Sequence, residues 1–323
     1  MVRKMIWTDD AGRRVKLRDL HVFLNAARSG SMAQAAKKLG VSQPTISEAI
    51  ADLESTFGVK LLDRTSRGVV PTIFGDALMR RAVAAFDELK QGSLDIAFLS
   101  DSGHGELRIG FQESLSPALV APLIRLFARR YPRVALHMDN LPSAELQFSE
   151  LRGRRYDFTL SLLAKPLLNE RDLFAEILFH DHLAIAASAA SVWATRRKIS
   201  LAELADSPWV LAPPDTLNFN ELAQAFKEIG LGMPKATIVT MSEPLRMLTL
   251  TNEDYVSAFT HSALRVSARR YNIKTLPIEL PTQPWPIALM RLRNRTLTPA
   301  GERFIACARE VGDAIARNKP IEV

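Results

Sequence analysis

The sequence is almost without cysteine. Its 323 residues hold one, Cys307. A single thiol can build no intramolecular disulfide, no cysteine-cluster zinc site and no two-cysteine redox switch, which fits a reducing compartment. Long apolar runs are missing too, and no stretch approaches the ~18 residues of a membrane-spanning helix. The opening "MVRKMIWTDDAGRR" is basic but lacks the apolar run of a secretory signal. Residues 1–16 read as an N-terminal extension, with Met5 a second candidate start. These absences point to a cytoplasmic protein.

Catalytic signatures are absent as well. There is no GxSxG, no HExxH and no P-loop. The six histidines are scattered at 21, 104, 137, 180, 182 and 261. His180 and His182 flank Asp181 in "FHDH". On a strand the two would share one face, but no further ligand is evident, so the segment reads as a strand end. No enzyme, no cofactor and no metal are expected.

What the sequence does have is positive charge, unevenly placed. The formal net charge is +7. Residues 1–73 carry 12 Lys/Arg against 7 Asp/Glu, and the remaining 250 carry 30 against 28. Most of the excess therefore lies in less than a quarter of the chain, a distribution that suits contact with an acidic polymer there. Hydrophobic residues at 47% and charged residues at 24% are ordinary for a globular chain of two or three domains.

Three blocks follow one another. Residues 17–73 are dense in helical periodicity and end in a short hairpin. Residues 74–100 read as one long helix. Residues 105–310 alternate β-branched or apolar runs with helical patterns, the α/β signature, and "SDSGHG" (100–105) is the linker between the last two. Along the long helix, Leu78, Ala82, Ala85, Leu89, Gly92, Ile96 and Leu99 follow a 4,3,4,3,4,3 spacing. That spacing suits a coiled-coil dimer contact, and equally an amphipathic helix packed on its own domain.

The first block opens on "GSMAQAAKKLGVSQPTISEAIADLE" (30–54). Ser31 and Gln34 form an S-x-x-Q capping box, and Gly40 ends the helix that starts there. Ser42 caps a second helix, with Pro44 in its first turn. In that helix Ile46, Ala49, Ile50, Leu53 and Phe57 make the buried stripe. The front of the other face carries Gln43, Thr45 and Ser47, with Glu48 beside them. These side chains are short and hydrogen-bonding, so a helix bearing them can lie deep in a major groove and meet base edges. Helix, tight turn and polar-fronted second helix match helix-turn-helix geometry, although an ordinary helical hairpin has the same periodicity. "KLLDRTSRGVVPT" (60–72) then reads as two short strands around a basic turn, a wing able to reach phosphates or the minor groove.

Residues 17–100 resemble the N-terminal half of LysR-type transcriptional regulators. "GSMAQAAKKLGVSQPTIS", "IADLE.TFGVKLLDR" and "PT.FG" carry the resemblance together. It implies a multidomain chain: an α-rich winged helix-turn-helix DNA-binding domain over 17–73, a linker helix over 74–100 that dimerises, and a two-lobed, Rossmann-like α/β effector domain over 105–310. It places base-reading positions on Gln43, Pro44, Thr45 and Ser47, and wing contacts on Arg64, Thr65, Ser66 and Arg67. Ser31, Lys37, Ser42 and Glu48 complete the expected DNA-facing set. Many members carry Arg or Lys at the position of Glu48, and an acid near phosphates costs affinity unless it accepts from a cytosine amino group. The expected dimer seam is Leu78, Ala82, Ala85, Leu89 and Ile96.

The resemblance extends through the C-terminal block, with lobe I over 105–180 and 268–310 and lobe II over 181–267. Alternating strands and helices imply parallel sheets covered on both faces. A ligand in such a fold lies in the crevice at the carboxyl ends of the strands. This points to Gln112, Glu113 and Ser114 after the first strand, Ser143 and Ala144 at a helix start, Ser161 after the third strand, and Thr216, Phe219, Thr260 and His261 from lobe II. His261 stands where many members have Pro, and "TNEDYV" before it lacks the glycines common there. Glu113 either discourages an anionic effector or supplies a polar anchor. The expected partners are double-stranded operator DNA, a small-molecule effector such as a small organic acid or aromatic compound, a second copy or a tetramer of the chain, and RNA polymerase, with no membrane. A stand-alone solute-binding protein, whose basic N-terminus serves only assembly, is the alternative.

Overall fold

The computed structural model describes residues 13–66, 68–100, 103–163, 170–251 and 254–319. The chain divides into two compact units, one ending at Gly92 and the other beginning at Ser93. Among the described residues no helix is long and apolar enough to cross a membrane.

In the first unit α1 (Leu17–Ser29), α2 (Met32–Leu39) and α3 (Gln43–Phe57) follow each other with minimal turns. Gly30, Gly40 and Gly58 end them in the left-handed conformation, at φ 61°, 66° and 67°. Phe23, Ile46, Leu53 and Leu61 are the large, fully buried side chains around which the three helices meet. The hairpin β1 (Leu62–Thr65) and β2 (Gly68–Pro71) is antiparallel, pairing Thr65 with Gly68 across a two-residue turn. Gly68 does more than allow a tight return. At φ 132° its α-carbon lies so close to the α1–α2 turn that an added Cβ would stand 2.0 Å from the Gly30 carbonyl oxygen. The Val69 amide donates to that same oxygen at 2.8 Å.

The long helix α4 (Ile73–Ser100) starts from this hairpin. The Thr72 hydroxyl accepts from the Gly75 amide at 3.0 Å and donates to the Lys60 carbonyl at 2.7 Å. Gly75 lies against the Leu61 carbonyl, where a Cβ would stand at 2.0 Å. The "PT.FG" motif thus fastens the helix start to the segment Lys60–Leu61 that leads into the hairpin.

The second unit holds two five-stranded sheets. One has the order β4 (Val134–Asn140), β3 (Gly105–Phe111), β5 (Phe158–Leu162), β12 (Trp285–Leu292), β6 (Leu173–Asp181). The other has the order β11 (Ile273–Thr275), β7 (Leu183–Ser188), β10 (Val256–Thr260), β8 (Trp209–Leu211), β9 (Ala236–Val239). Among the described residues six α-helices belong to the unit besides the end of α4: α5 (Ala121–Arg130), α6 (Ala144–Arg152), α7 (Leu217–Glu228), α8 (Glu243–Thr249), α9 (His261–Ser267) and the long α10 (Pro299–Ala316). Phe158 stacks on Phe304, with ring centroids 5.6 Å apart, under the first sheet. Trp209, fully buried in the second, donates its indole N–H to the Leu204 carbonyl at 2.8 Å.

Three expectations change. The sheets are mixed, because β12 runs antiparallel to β5 and β6, and β7 antiparallel to β10 and β11. The apolar run 178–188, which looks like one strand, is two strands in different sheets with His182 alone between them. Apart from the exposed His180 and His182 the run is buried on both sides of the crossing, so its hydrophobic pattern does not mark the change of sheet. The return crossing falls after β11, so the stretch from 268 to Thr275 stays with the second lobe, held by the pairing of β11 with β7.

Candidate DNA-binding face and ligand cleft

The front of α3 is built by its cap. Ser42 Oγ accepts from the Thr45 amide at 3.3 Å and shares a 2.8 Å hydrogen bond with Thr45 Oγ1. Both hydroxyls are thus partly engaged at the helix start. Gln43, Pro44 and Glu48 are exposed, as are Ala51 and Ser55 further along, while Ser47 and Thr45 are half-buried. Pro44, Glu48, Ala51 and Ser55 succeed each other at three- and four-residue steps. Glu48 therefore sits in the middle of the free face rather than at its edge. Ser47 turns to the flank, into a shallow hollow shared with Met32, Glu54 and Arg64. Ser31 caps α2 by accepting from the Gln34 amide at 3.3 Å, and Lys37 is exposed in that helix's last turn beside Lys38.

Glu54 fixes the hairpin to this helix. Its carboxylate accepts from the Leu61 amide at 2.9 Å, the Leu62 amide at 3.3 Å and the Lys60 ammonium at 2.5 Å. Burial alone would raise its pKa, but these donors outweigh burial and hold it below the ordinary carboxylate value. Arg64, Thr65 and Ser66 are exposed along and beyond β1, and Arg67 lies outside the described residues. Of the expected dimer seam, Ala82 is 2% exposed and Leu78 half-buried, both against the core of their own helix-turn-helix unit. Ala82 is thereby spent on its own domain. Ala85, Leu89 and Ile96 are exposed, with Leu89 at 52% and Ile96 at 66%.

In the second unit the carboxyl ends of the strands surround a cleft of about 200 Å³. Gln112, Glu113, Ser114, Ser143 and Ala144 line it from the first lobe, and Thr216 from the second. Gln112 is fixed by accepting from the Leu162 amide at 2.8 Å. Ser143 and Thr216 are the N-caps of α6 and α7, each accepting from its helix's third amide.

Four expected residues lie elsewhere. Ser161 is fully buried in β5, where its hydroxyl bonds to the Gln147 side chain. Thr260 is fully buried at the end of β10, and Phe219 packs on the core behind the α7 cap. β5 and β10 are the middle strands of their sheets, so both their faces are covered. His261 opens α9 and stacks on His182, with centroids 4.5 Å apart. Its pKa is lowered by burial and by His182. Asp181, buried just before His182, accepts from the amide and hydroxyl of Ser262, which ties the lobe crossing to α9.

The cleft also holds residues with no local signal in the sequence. Asn140, Asp215, Asn218 and Asn220 line it, and so do Glu243 and Arg246 on α8. Glu243 and Arg246 are 4% and 3% exposed. Their carboxylate and guanidinium stand 3.6 Å apart, too far for a hydrogen bond. Arg246 donates to the Ala258 carbonyl at 2.7 Å and lies over the Phe259 ring at 4.8 Å. One Glu243 oxygen has no hydrogen-bond partner. Burial pushes the Glu243 carboxyl up to about 8, against the attraction of Arg246 and with the repulsion of Glu113 and Asp181. Among the described residues the lining carries four carboxyl groups (Glu113, Glu145, Asp215, Glu243) against one guanidinium, and no aromatic side chain.

Residues 100–313 match the family model of the LysR substrate binding domain. Residues 17–76 match that of the bacterial regulatory helix-turn-helix protein, lysR family. The chain belongs to the LysR family. It is similar, at 26% identity over 95% of its length and 97% of the relative's, to the transcriptional regulator TdcA of Escherichia coli K12. It is 23% identical to the regulator GbpR of Azospirillum brasilense over 94% of the chain and 89% of that relative. Among solved structures it is similar in fold to a full-length OxyR variant from Pseudomonas aeruginosa, with a TM-score of 0.66, 20% identity, and coverage of 96% and 99%. Full-length CbnR complexed with its target DNA matches with a TM-score of 0.53, 22% identity, and coverage of 92% and 100%. This LysR-family chain is a DNA-binding transcriptional regulator whose activity is controlled by a small molecule bound in its two-lobed C-terminal domain.

Proposed function

We propose that this regulator reads operator DNA in the major groove through the front of α3, with Gln43 and Glu48 meeting base edges and Pro44, Thr45 and Ser47 shaping the approach. Ser31, Lys37, Ser42 and the wing residues Arg64, Thr65, Ser66 and Arg67 position it on the phosphates. The observation that carries this is a division of charge. The exposed front of α3 holds no cation, while Lys37, Lys38 and Arg64 are exposed on the elements beside it. Phosphate contacts set affinity and base contacts set preference.

On this reading Ala85, Leu89 and Ile96 pair with a second copy of the chain, so that a dimer or tetramer holds two half-sites. The effector lies in the interlobe cleft among Gln112, Glu113, Ser114, Ser143, Ala144 and Thr216, and binds two arrangements of the lobes with different affinity. The chain works in the cytoplasm with RNA polymerase as a further partner, and catalyses no reaction. The acidic lining without aromatics argues against the organic acid or aromatic effector expected from the sequence.

The test is a gel shift of the full chain on the intergenic DNA beside its own gene, at two salt concentrations. A retarded band that survives competitor DNA supports the reading, and Gln43→Ala should weaken it by roughly 1–3 kcal/mol and relax one base position. Binding by Gln43→Ala equal to that of wild type would remove α3 from the base-reading role.

A further inference from the structure

We propose that the effector carries a positively charged amine, held between Glu113 of the first lobe and Glu243 of the second. The inference rests on reading the cleft as the effector site and adds the chemical class of what binds there. Among the described residues four carboxyl groups line the cleft, and one guanidinium opposes them. That guanidinium is engaged by the Ala258 carbonyl, by the Phe259 ring and by an ion pair at 3.6 Å with Glu243 itself, and its Nε is left without a hydrogen-bond partner. Glu243 is nine-tenths buried and lines the cleft, and its Oε2, 3.6 Å from the Arg246 guanidinium, accepts no hydrogen bond. A buried acceptor without a partner is costly, and an ammonium N–H is the donor that satisfies both its charge and its hydrogen bond.

Glu113 is close enough to Glu243 to act on it electrostatically. It follows β3 in the first lobe, whereas Glu243 opens α8 in the second. With the cleft empty, the charge of Glu113 opposes ionisation of Glu243 across the lobe boundary. A cation between them stabilises the ionised pair, so binding favours the arrangement of the lobes that brings the two acids together. This supplies the differential affinity that a controlling ligand needs. Other lining groups (Asn140, Asn218, Asn220 and the Gln112 amide) offer hydrogen bonds, and among the described residues no aromatic ring lines the cleft to cage a quaternary ammonium. The cleft therefore suits an amine that still carries N–H donors.

The test uses compounds of equal chain length and opposite charge on the full-length protein: 1,5-diaminopentane, lysine, 5-aminopentanoate and glutarate, followed by thermal shift and calorimetry. At least one amine should raise the melting temperature while glutarate does not. Its affinity should fall tenfold or more in Glu113→Gln and in Glu243→Gln, and be abolished by Glu113→Lys, which places a cation in the subsite. Because Glu113 is half-exposed, its variants keep the fold even where Glu243→Gln does not. No response to any amine, or amine binding unchanged in both Glu113 variants, overturns the proposal. Binding of glutarate that is lost in Arg246→Met overturns the charge assignment and leaves the effector cleft standing. A ligand insensitive to every one of these substitutions takes the cleft reading down as well.

Discussion

Gly68 in the wing and Gly30 in the first helical turn are backbone neighbours with no room for a Cβ between them. The approach lets the Val69 amide reach the Gly30 carbonyl, which seats the hairpin beside α2 and α3. Gly68→Ala meets both the clash at 2.0 Å and an unfavourable φ of 132°. The first melting transition of the full chain should drop by the equivalent of roughly 2–4 kcal/mol. Gly58→Ala has a positive φ but open space around it, so it should cost only about 1 kcal/mol. Calorimetry of the two variants separates the terms, and equal losses would mean that the close approach is not what requires glycine.

Glu48 stands at the centre of the exposed face of α3. An acid there repels phosphates everywhere and helps only where a cytosine amino group donates to it. Glu48→Gln should raise affinity for random DNA severalfold. On the operator it should weaken preference at one position by about 1–3 kcal/mol. Binding titrations against a set of single-base operator variants measure both. A uniform gain with preference intact would leave Glu48 outside base reading.

Arg64 is exposed on the first wing strand, beside the flank of α3 rather than on its exposed front. Arg64→Ala should weaken operator and non-operator DNA by the same factor. It should also reduce the slope of log affinity against log salt by about one. Fluorescence anisotropy at four salt concentrations checks this, and a loss confined to the operator would assign Arg64 to base edges instead.

The helix-turn-helix was legible because its signals are local. Ser31, Gly40, Ser42 and Pro44 act on residues at most four positions away, and the observed α2 and α3 start and stop at them. The cleft was half legible. Ser143 and Thr216 announce helix starts by the same capping logic. Arg246 does not, since α8 is only seven residues long and too short to show a period. The groups that define its position, Ala258 and Phe259, lie on β10, and Glu113 is on the other lobe. Ser161 and Thr260 were misplaced because a strand end looks the same from sequence whether its last residues face a cleft or a packed core. Only the sheet order shows that β5 and β10 are central. The first lobe crossing, expected after residue 180 from the resemblance, falls at His182.

The exposed side of α4 carries Ala85, Leu89 and Ile96, whereas Ala82 is consumed by its own core. Ile96→Asp and Leu89→Asp should therefore shift the chain toward monomer by light scattering, without lowering the first melting transition. Ala82→Leu should do the opposite, destabilising that transition by about 1–3 kcal/mol through overpacking while leaving the oligomer intact. An unchanged oligomer in the Leu89→Asp, Ile96→Asp double variant would place self-association elsewhere.

Glu243 links the cleft to pH. Burial holds its carboxyl at about 8, while the unfolded chain ionises near the ordinary 4.5. The folded protein therefore keeps a proton that the unfolded one releases. Its contribution to stability is full below about 4.5 and is lost as pH rises toward 8. Between pH 5 and pH 9 the effector unit of the wild type should lose stability on the order of 1–3 kcal/mol, several degrees of melting temperature. Glu243→Gln keeps the shape without the titrating proton and should show a flatter profile across that range. An amine bound beside Glu243 should flatten the wild-type profile too, because it stabilises the ionised carboxylate, and its affinity should rise with pH toward 8. A wild-type profile already as flat as that of Glu243→Gln would mean that Arg246 keeps the carboxylate ionised throughout.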